Sequence, residues 1–512
     1  MKSKNLKYLD LAALLVAFYG SIVWGTYIYL NVTPIKKIVI LFIIVVEIEG
    51  YFLSKFMINN LEKIEIVTWQ MTKKQKGIVF ISVALITFIV MLIWLLGYYP
   101  GSFSPDSIAQ YTQAISGKYD DWHPAWHTLV FFTFPLKVFK VPASIIVMQI
   151  LYFALILGFL VLTICELSNV KIAVISFAYI ILNPYVGYIM LYPWKDVGFG
   201  LASLLVTVIS VRLIFKQSAK EKLWKCILLG IVIASATIFR HNAILYTGSL
   251  LIVLFFNLDK KTWIKIFIFT IAAFIIIKFP VYDFFEVSKA EKRIVEETGL
   301  PLTVIGNVAK ETPELMDEEL SKFVYSLAAP EQWQESYQCG NFNNIKWIAN
   351  LSAVEEQGVE GMLRLMMKCF RLSPKASIDA VIALTDMVYG FENGMEGNVS
   401  PGIAENIYGI TYSPPQSEKC QALVSSYAAF INTSVFRYFR TYGICLFVIL
   451  VTALSKLKFN SWNSWKKAFM VIPIFVYDFG TMLLLTGPDS RFFFITFLVT
   501  PLLIVWAFSK EN

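Results

Sequence analysis

Histidine is scarce in this chain: 512 residues hold only three, His123, His127 and His241. Hydropathy puts all three at one membrane face, which disfavours chemistry centred on a histidine near mid-membrane, as in membrane O-acyltransferases. The six cysteines stand singly with no C-x-x-C pair, excluding a zinc ribbon or thioredoxin-like dithiol chemistry. Cys339 and Cys420 share one loop, where a disulfide and two free thiols are both open. Charge is also low, 16% against 57% hydrophobic residues, and so apolar a chain exceeds what a soluble core can bury. There is no internal repeat and no low-complexity tract.

What is present is a series of apolar runs. A bilayer core takes roughly 20 apolar residues per helix. Twelve candidate spans begin near Leu9, Lys37, Gly77, Ala143, Ile172, Val197, Lys225, Ile244, Trp263, Phe436, Lys467 and Arg491. The expected fold is an all-α polytopic membrane protein with about twelve transmembrane helices and a mainly helical extracytoplasmic domain. The first run is expected to remain as a helix, uncleaved. The stretch from Trp126 to Phe139, interrupted by Pro135 and Lys137, reads as an interfacial helix. Lysines gather at the amino terminus, at Lys73, Lys74 and Lys76, at Lys216, Lys220, Lys222 and Lys225, at Lys260 and Lys261, and from Lys456 to Lys467. The positive-inside rule makes that side cytoplasmic, against which Lys36 and Lys37 fall outside. The net charge of +8 then reflects topology and calls for no nucleic acid.

Four segments follow: residues 1–76 with two helices, 77–282 as a transmembrane core with an external loop at 99–127, 283–432 as an extracytoplasmic domain, and 433–512 as the last spans. Within the third, Pro313 to Leu327 and Ala353 to Leu372 have helical spacing, the latter with Val359, Met362, Leu363, Leu365, Met366 and Phe370 as an apolar stripe. Gly390 to Gly402, with Gly394, Gly397 and Pro401, reads as an irregular loop. Glu47 and Glu49 lie in the second span without an assigned role, and Asp478 reads as a hydrogen-bond partner between helices.

Four chain regions deliver polar groups to the outer face: Asp106, Asp120, Asp121, Trp122, His123, Trp126 and His127; then Tyr192, Trp194, Lys195 and Asp196; then Arg240, His241 and Asn242; and finally Asp489 and Arg491. Ionisable groups at a membrane boundary are costly and need partners or a task. Lys195, Arg240 and Arg491 supply fixed positive charge suited to a phosphate, which arginine grips through two oxygens. A carboxylate beside them can serve as general base towards a hydroxyl. An ordinary aspartate is a weak base, so burial, a second carboxylate such as Asp120, Asp121 or Asp196, or substrate positioning has to compensate. Trp122, Trp126, Tyr192 and Trp194 fit both sugar stacking and an interfacial aromatic belt.

The run Phe103-Ser104-Pro105-Asp106-Ser107, continuing through Gln110 and Tyr111 to Gly117 and Tyr119, then His123-Pro124-Ala125-Trp126, a short helix and a full span, resembles the first external loop of GT-C glycosyltransferases. That superfamily includes the protein O-mannosyltransferases and the bacterial enzymes that move aminoarabinose onto lipid A. The likeness covers about Gly77 to Phe215; Ser107 stands where a second acid is usual, Ala125 replaces a second proline, and two extra spans precede the motif. Together with Trp194-Lys195-Asp196 and Arg240-His241-Asn242, it is similar to a bacterial multi-pass membrane family of GT-C character.

The resemblance implies a polyprenyl-phosphate-linked sugar donor drawn from the membrane lipid, an acceptor such as a cell-surface glycan, teichoic acid or lipid, and Asp106 as catalytic residue. On this expectation Asp121 and His123 join Asp106 in catalysis. Asp120, His127, Trp122, Tyr192, Trp194, Lys195, Asp196, Arg240, His241, Asn242 and Arg491 bind substrate. Asp106, Asp121 and His123 are the set through which a divalent metal, Mg or Mn, would enter as cofactor. High Ile, Lys, Phe and Asn usage suits a low-GC bacterium. The alternative is a transporter or flippase for a lipid-linked cell-envelope precursor, for which twelve spans with buried polar residues also suit alternating access.

Overall fold

The computed structural model describes residues 2–31, 36–215, 223–290, 294–391, 399–412, 417–458 and 460–509. Lys216, Lys220, Lys222, Gly394 and Gly397 lie outside them. The molecule is all-α and polytopic: 79% is helical, and the described residues hold isolated bridges but no strand.

The chain runs through α1 (Lys2–Asn31), α2 (Lys36–Glu62), α3 (Lys73–Gly97), α4 (Pro105–Ser116), α5 (Ala143–Leu167), α6 (Val170–Ile181), α7 (Lys195–Phe215), α8 (Leu223–Ile238), α9 (Ile244–Asn257) and α10 (Lys260–Ile276). Then come α11 (Gly299–Glu311), α12 (Glu318–Leu327), α13 (Ser352–Leu372), α14 (Pro374–Tyr389), α15 (Glu418–Thr433), α16 (Tyr442–Ser455), α17 (Ile472–Met482) and α18 (Phe494–Phe508).

Among the described residues, six stretches are long and apolar enough to cross a membrane: Leu9–Tyr29, Lys73–Gly97, Ala143–Leu167, Lys195–Phe215, Lys260–Phe284 and Ser490–Phe508. Four further apolar helices are shorter, Val170–Ile181, Leu223–Ile238, His241–Asn257 and Tyr442–Ser455. Polar caps set these lengths. Thr72 and Gln75 close a reciprocal capping box that starts α3, and Asn183 ends the run after α6 by accepting from the Tyr185 amide at 2.9 Å. The central span is α7, whose apolar window is 83% buried, whereas those of α3 and of Lys260–Phe284 are only 28% and 22% buried and line the periphery.

One end of the bundle gathers several loops. Lys456 donates to the carbonyls of Glu62 and Ile64 and so caps α2, Trp69 pairs with Ser168, and Asn257 donates to Lys466 O. Lys76 and Arg212 both pair with Glu166 there, at 2.5 and 2.8 Å. Asp106 lies at the opposite end. Between them, the Thr496 hydroxyl donates to Asp478 at 2.6 Å, a hydrogen bond that ties α17 to α18 inside the bundle.

A second core, from Val295 to Ala380, is narrower than the expected 283–432 segment. Its α13 buries Val354, Met362, Leu365 and Cys369, while Val359, Leu363 and Met367 point outwards. Gly358, at φ +64°, kinks the helix just before the expected stripe begins. The Pro313–Leu327 stretch divides into a short turn and α12, which starts where Asp317 caps the Leu320 amide. The second half of α14 and the inner face of α15 pack into the main core. The Trp126–Phe139 stretch becomes a turn, a π-helical segment Thr128–Thr133 and a short helix Phe134–Val138. Cys339 and Cys420 are both free.

The join between α14 and α16 is tight at Gly443, where a Cβ would fall 2.2 Å from the Tyr389 carbonyl oxygen and 2.3 Å from that of Gly390. Backbone atoms cannot rotate away. Gly443→Ala should therefore lower the thermal midpoint in detergent, at a cost of about 1–3 kcal/mol. Gly20→Ala, with no neighbour within 4 Å, should leave it unchanged or raise it.

Candidate functional site

The site begins with a helix start. Ser104 caps α4 by accepting from the Ser107 amide at 3.3 Å, Pro105 occupies the first turn, and Gly117 closes the helix at φ +69°. This sets Asp106 in the first turn, where the helix dipole favours a carboxylate. The loop before it is clamped on both sides. Ser102 N donates to Leu191 O at 2.9 Å, while Phe103 N donates to Gly402 O at 2.9 Å and Phe103 O accepts from Ala404 N at 2.7 Å. Gly101, at φ +113°, has no room for a side chain, because a Cβ there would lie 2.4 Å from Ile146.

Residues 399–412 thus form a strap across the loop. The Tyr192 hydroxyl donates to Ser400 O at 2.7 Å, the Tyr408 hydroxyl donates to Thr112 at 3.0 Å, and the Ser102 and Tyr412 hydroxyls lie 2.6 Å apart.

Arg491 ties the separate regions together. Its guanidinium lies 3.3 Å from Asp106, 2.9 Å from Asp489 and 3.6 Å from Asp196. It also sits over the ring of Trp194, 4.9 Å from the centroid. The Trp194 indole N–H donates to Ser104 Oγ at 2.8 Å and its ring stacks on Tyr192 at 4.0 Å, so the cap of α4 and the aromatic pair are one unit. Asp196 is sealed, with its side chain 1% exposed and 2.6 Å from Arg240, which also donates to the Tyr477 hydroxyl at 3.0 Å. Asp106 keeps 37% of its side chain open, against 29% for Asp489, and is the most accessible carboxylate of this network to an incoming molecule.

Lys195 and His123 complete the group, with Lys195 Nζ 3.5 Å from His123 Nδ1. Among the described residues no carboxylate comes within the 4.0 Å of a salt bridge to Lys195. Its half-buried ammonium, which Asp196 and Asp106 stabilise only from beyond contact distance, adds positive charge beside Arg491. Burial pushes the Asp106 carboxyl up, but the surrounding cations, Arg491 foremost, outweigh it and hold the group below the usual carboxylate range. Burial, reinforced by Lys195, pushes His123 down to about 4.

Several expected site residues are engaged elsewhere. Asp121 pairs with Lys278 at 2.6 Å, accepts from the Tyr282 hydroxyl at 2.8 Å and caps the Ala125 amide, so a catalytic role beside Asp106 is not what its contacts support. Asp120 accepts from the Trp122 amide at 2.9 Å and shapes the turn. His127 is fully buried; it stacks on Phe131, sits 2.9 Å from Gln110 and lies where a side chain on Gly198 would be, which makes it core and not a substrate ligand. Asp196 and Arg240 form a buried pair that positions Arg491 and offers little contact surface. Asn242 donates to Thr481 at 2.9 Å. His241 is exposed, with Nε2 3.4 Å from the backbone carbonyl of the half-buried Trp122.

Among the described residues no three His, Cys, Asp or Glu side chains gather as a metal-binding group, and Asp106, Asp121 and His123 do not converge on one point. Lys278 and Tyr282 were not singled out from the sequence. The available signal was a lysine inside an apolar run, a charge that has to find a partner.

His123 titrates near 4 in the folded chain, against an ordinary histidine near 6.5. The unfolded chain therefore binds more protons between these values, and stability should fall as pH drops from 6.5 towards 4. About 3 kcal/mol is at stake for a shift of this size. Thermal midpoints measured across that range should show the fall, and His123→Gln should reduce it.

No protein-family model, curated protein or solved structure matches this chain.

Proposed function

We propose that this chain is a membrane glycosyltransferase of GT-C type. In this reading it spans the cell membrane about twelve times and works at the extracytoplasmic face, moving a sugar from a polyprenyl-phosphate donor to a surface glycan, teichoic acid or lipid acceptor. The observation that carries the reading is the half-buried Lys195 ammonium, without a carboxylate in salt-bridge range, beside Arg491 and the solvent-reachable Asp106. Cations next to an open carboxylate suit an anionic donor and a hydroxyl acceptor.

In the resting site Arg491 weakens Asp106 as a base. A donor phosphate would compete for the guanidinium, and each oxygen it takes returns basicity to the carboxylate. Asp106 then accepts the proton of the acceptor hydroxyl, whose oxygen attacks the sugar's anomeric carbon. The bond from that carbon to the phosphate oxygen breaks, and polyprenyl phosphate leaves with charge that Lys195 and Arg491 stabilise. Trp194, held by Ser104 and stacked on Tyr192, walls the site, and His241 at the exposed rim can donate to the leaving group. Mg or Mn has no gathered ligand set among the described residues, and the steps above are assigned to the chain's own side chains.

Purified protein in nanodiscs, offered a panel of polyprenyl-phosphate sugars, should release free polyprenyl phosphate. Asp106→Asn should lower turnover at least about 100-fold while keeping donor binding. Lys195→Ala should weaken donor binding about tenfold or more. A folded Asp106→Asn protein with full activity would overturn the mechanism.

A further inference from the structure

Lys278 lies near the end of Lys260–Phe284, a stretch long and apolar enough to cross a membrane, where a charged side chain is costly unless it has a partner. Pro280 has no amide to give, and the chain passes it in a π-helical turn, Ile277–Val281. Lys278 and Tyr282 come out on one side of that turn, with Nζ 4.5 Å from the ring centroid and 3.4 Å from the hydroxyl.

Both residues converge on Asp121. Lys278 Nζ donates to Oδ2 at 2.6 Å, and the Tyr282 hydroxyl donates to Oδ1 at 2.8 Å. Asp121 Oδ1 also accepts from the Ala125 amide at 3.0 Å, and the Tyr282 oxygen accepts from the Trp126 amide at 3.3 Å. The backbone adds a second tie, from Asp121 N to Ser288 O at 3.1 Å. Residues 122–124 are therefore suspended between two fixed points, Asp121 and Ala125, and Pro124 stiffens the short run. That run carries the loop's contacts to the site: Trp122 O lies 3.4 Å from His241 Nε2, and His123 Nδ1 lies 3.5 Å from Lys195 Nζ.

The packing that holds this join is separate from the polar contacts that orient it. Tyr119, Ala125, Leu129, Ile238, Ile277 and Tyr282 form a small buried apolar cluster there. The Lys278–Asp121 pair keeps 25% and 20% of its side chains exposed, and ion pairs that solvent reaches contribute little to stability. Its directional contacts decide instead where the 122–124 run sits.

We propose that Lys278 and Tyr282 are positioning residues of the candidate site, which act through Asp121 to set Trp122 against His241 and His123 against Lys195. The consequence for sugar transfer rests on the glycosyltransferase reading above, whereas the consequence for the histidines does not.

The chain has three histidines, so imidazole NMR spectra of isotope-labelled full-length protein in nanodiscs give one set of signals per site, assigned by replacing each histidine with glutamine. Lys278→Met should move the His123 and His241 signals more than that of the core His127, and Lys278→Arg, which keeps the charge and the reach, should return them. Tyr282→Phe removes one hydroxyl and keeps the ring in its cluster; it should move the same two signals, and it serves as the test should Lys278→Met not fold. Lys278→Met should also weaken binding of a polyprenyl-phosphate sugar about threefold or more, and the double variant with Asp121→Asn should bind no worse than Asp121→Asn alone, because both changes cut one contact. A wild type that turns over no donor would sink the transfer reading and leave the spectra to decide the positioning role. Unmoved His123 and His241 signals, or a double variant clearly worse than Asp121→Asn alone, would overturn that role.

Discussion

A single guanidinium holds the candidate site together. Arg491 is shared by carboxylates from three chain regions, Asp106 on the first loop, Asp196 at the start of α7 and its own neighbour Asp489, and it rests on the face of Trp194. Each partner is fixed in turn. Asp196 is locked by Arg240 and Tyr477, Asp489 caps the turn that presents Arg491, and Trp194 is pinned by its hydrogen bond to Ser104. The Asp196 contact is the longest, at 3.6 Å, but Asp196 is sealed, whereas Asp106 combines a long contact, 3.3 Å, with the most open side chain of the three. The network is rigid on its buried side and yielding on its open side, the arrangement a site needs if an anion is to enter without dismantling the frame.

The strap from residue 399 to residue 412 gives that frame an outer wall. Its backbone pairs with Phe103 on both sides, so the loop before Asp106 is held as if by a short piece of sheet although no strand forms. Tyr111 and Tyr408 meet edge to face above it, with centroids 5.0 Å apart. The strap belongs by sequence to the segment that follows the second core, yet it is structurally part of the site.

The all-α architecture could be read from apolar runs, and so could the convergence of four distant regions, because both follow from the cost of leaving polar groups in lipid. Asp106, Trp194, Lys195, Asp196, Arg240 and Arg491 do come together, in the places their loops implied. Composition could not say which carboxylate would face solvent. Asp120, Asp121 and His127 share one short loop with Asp106, but backbone amides and Lys278 claim the first two and the core claims the third. Such choices depend on side-chain direction after long-range packing, which spacing along the chain does not encode. Helix ends were less legible: Asn183 and Arg240 look tolerable in a hydropathy window, but Asn183 accepts from the Tyr185 amide, and Arg240, drawn to Asp196, stands in an extended backbone between α8 and α9.

Asp106 and Arg491 are separated by 385 positions. That distance carries a consequence for biogenesis. A ribosome delivering the chain into a membrane releases α4 and its aspartate long before the arginine that restrains it exists, and the loop waits, clamped by neither Arg491 nor the strap, while most of the helices are inserted. The site can close only when the segment carrying Arg491 docks. A chain that stalls or is clipped before Arg491 would hold α1 to α17 and still lack the guanidinium that joins Asp106, Asp196 and Asp489, so the docking of that segment is the step that assembles the centre.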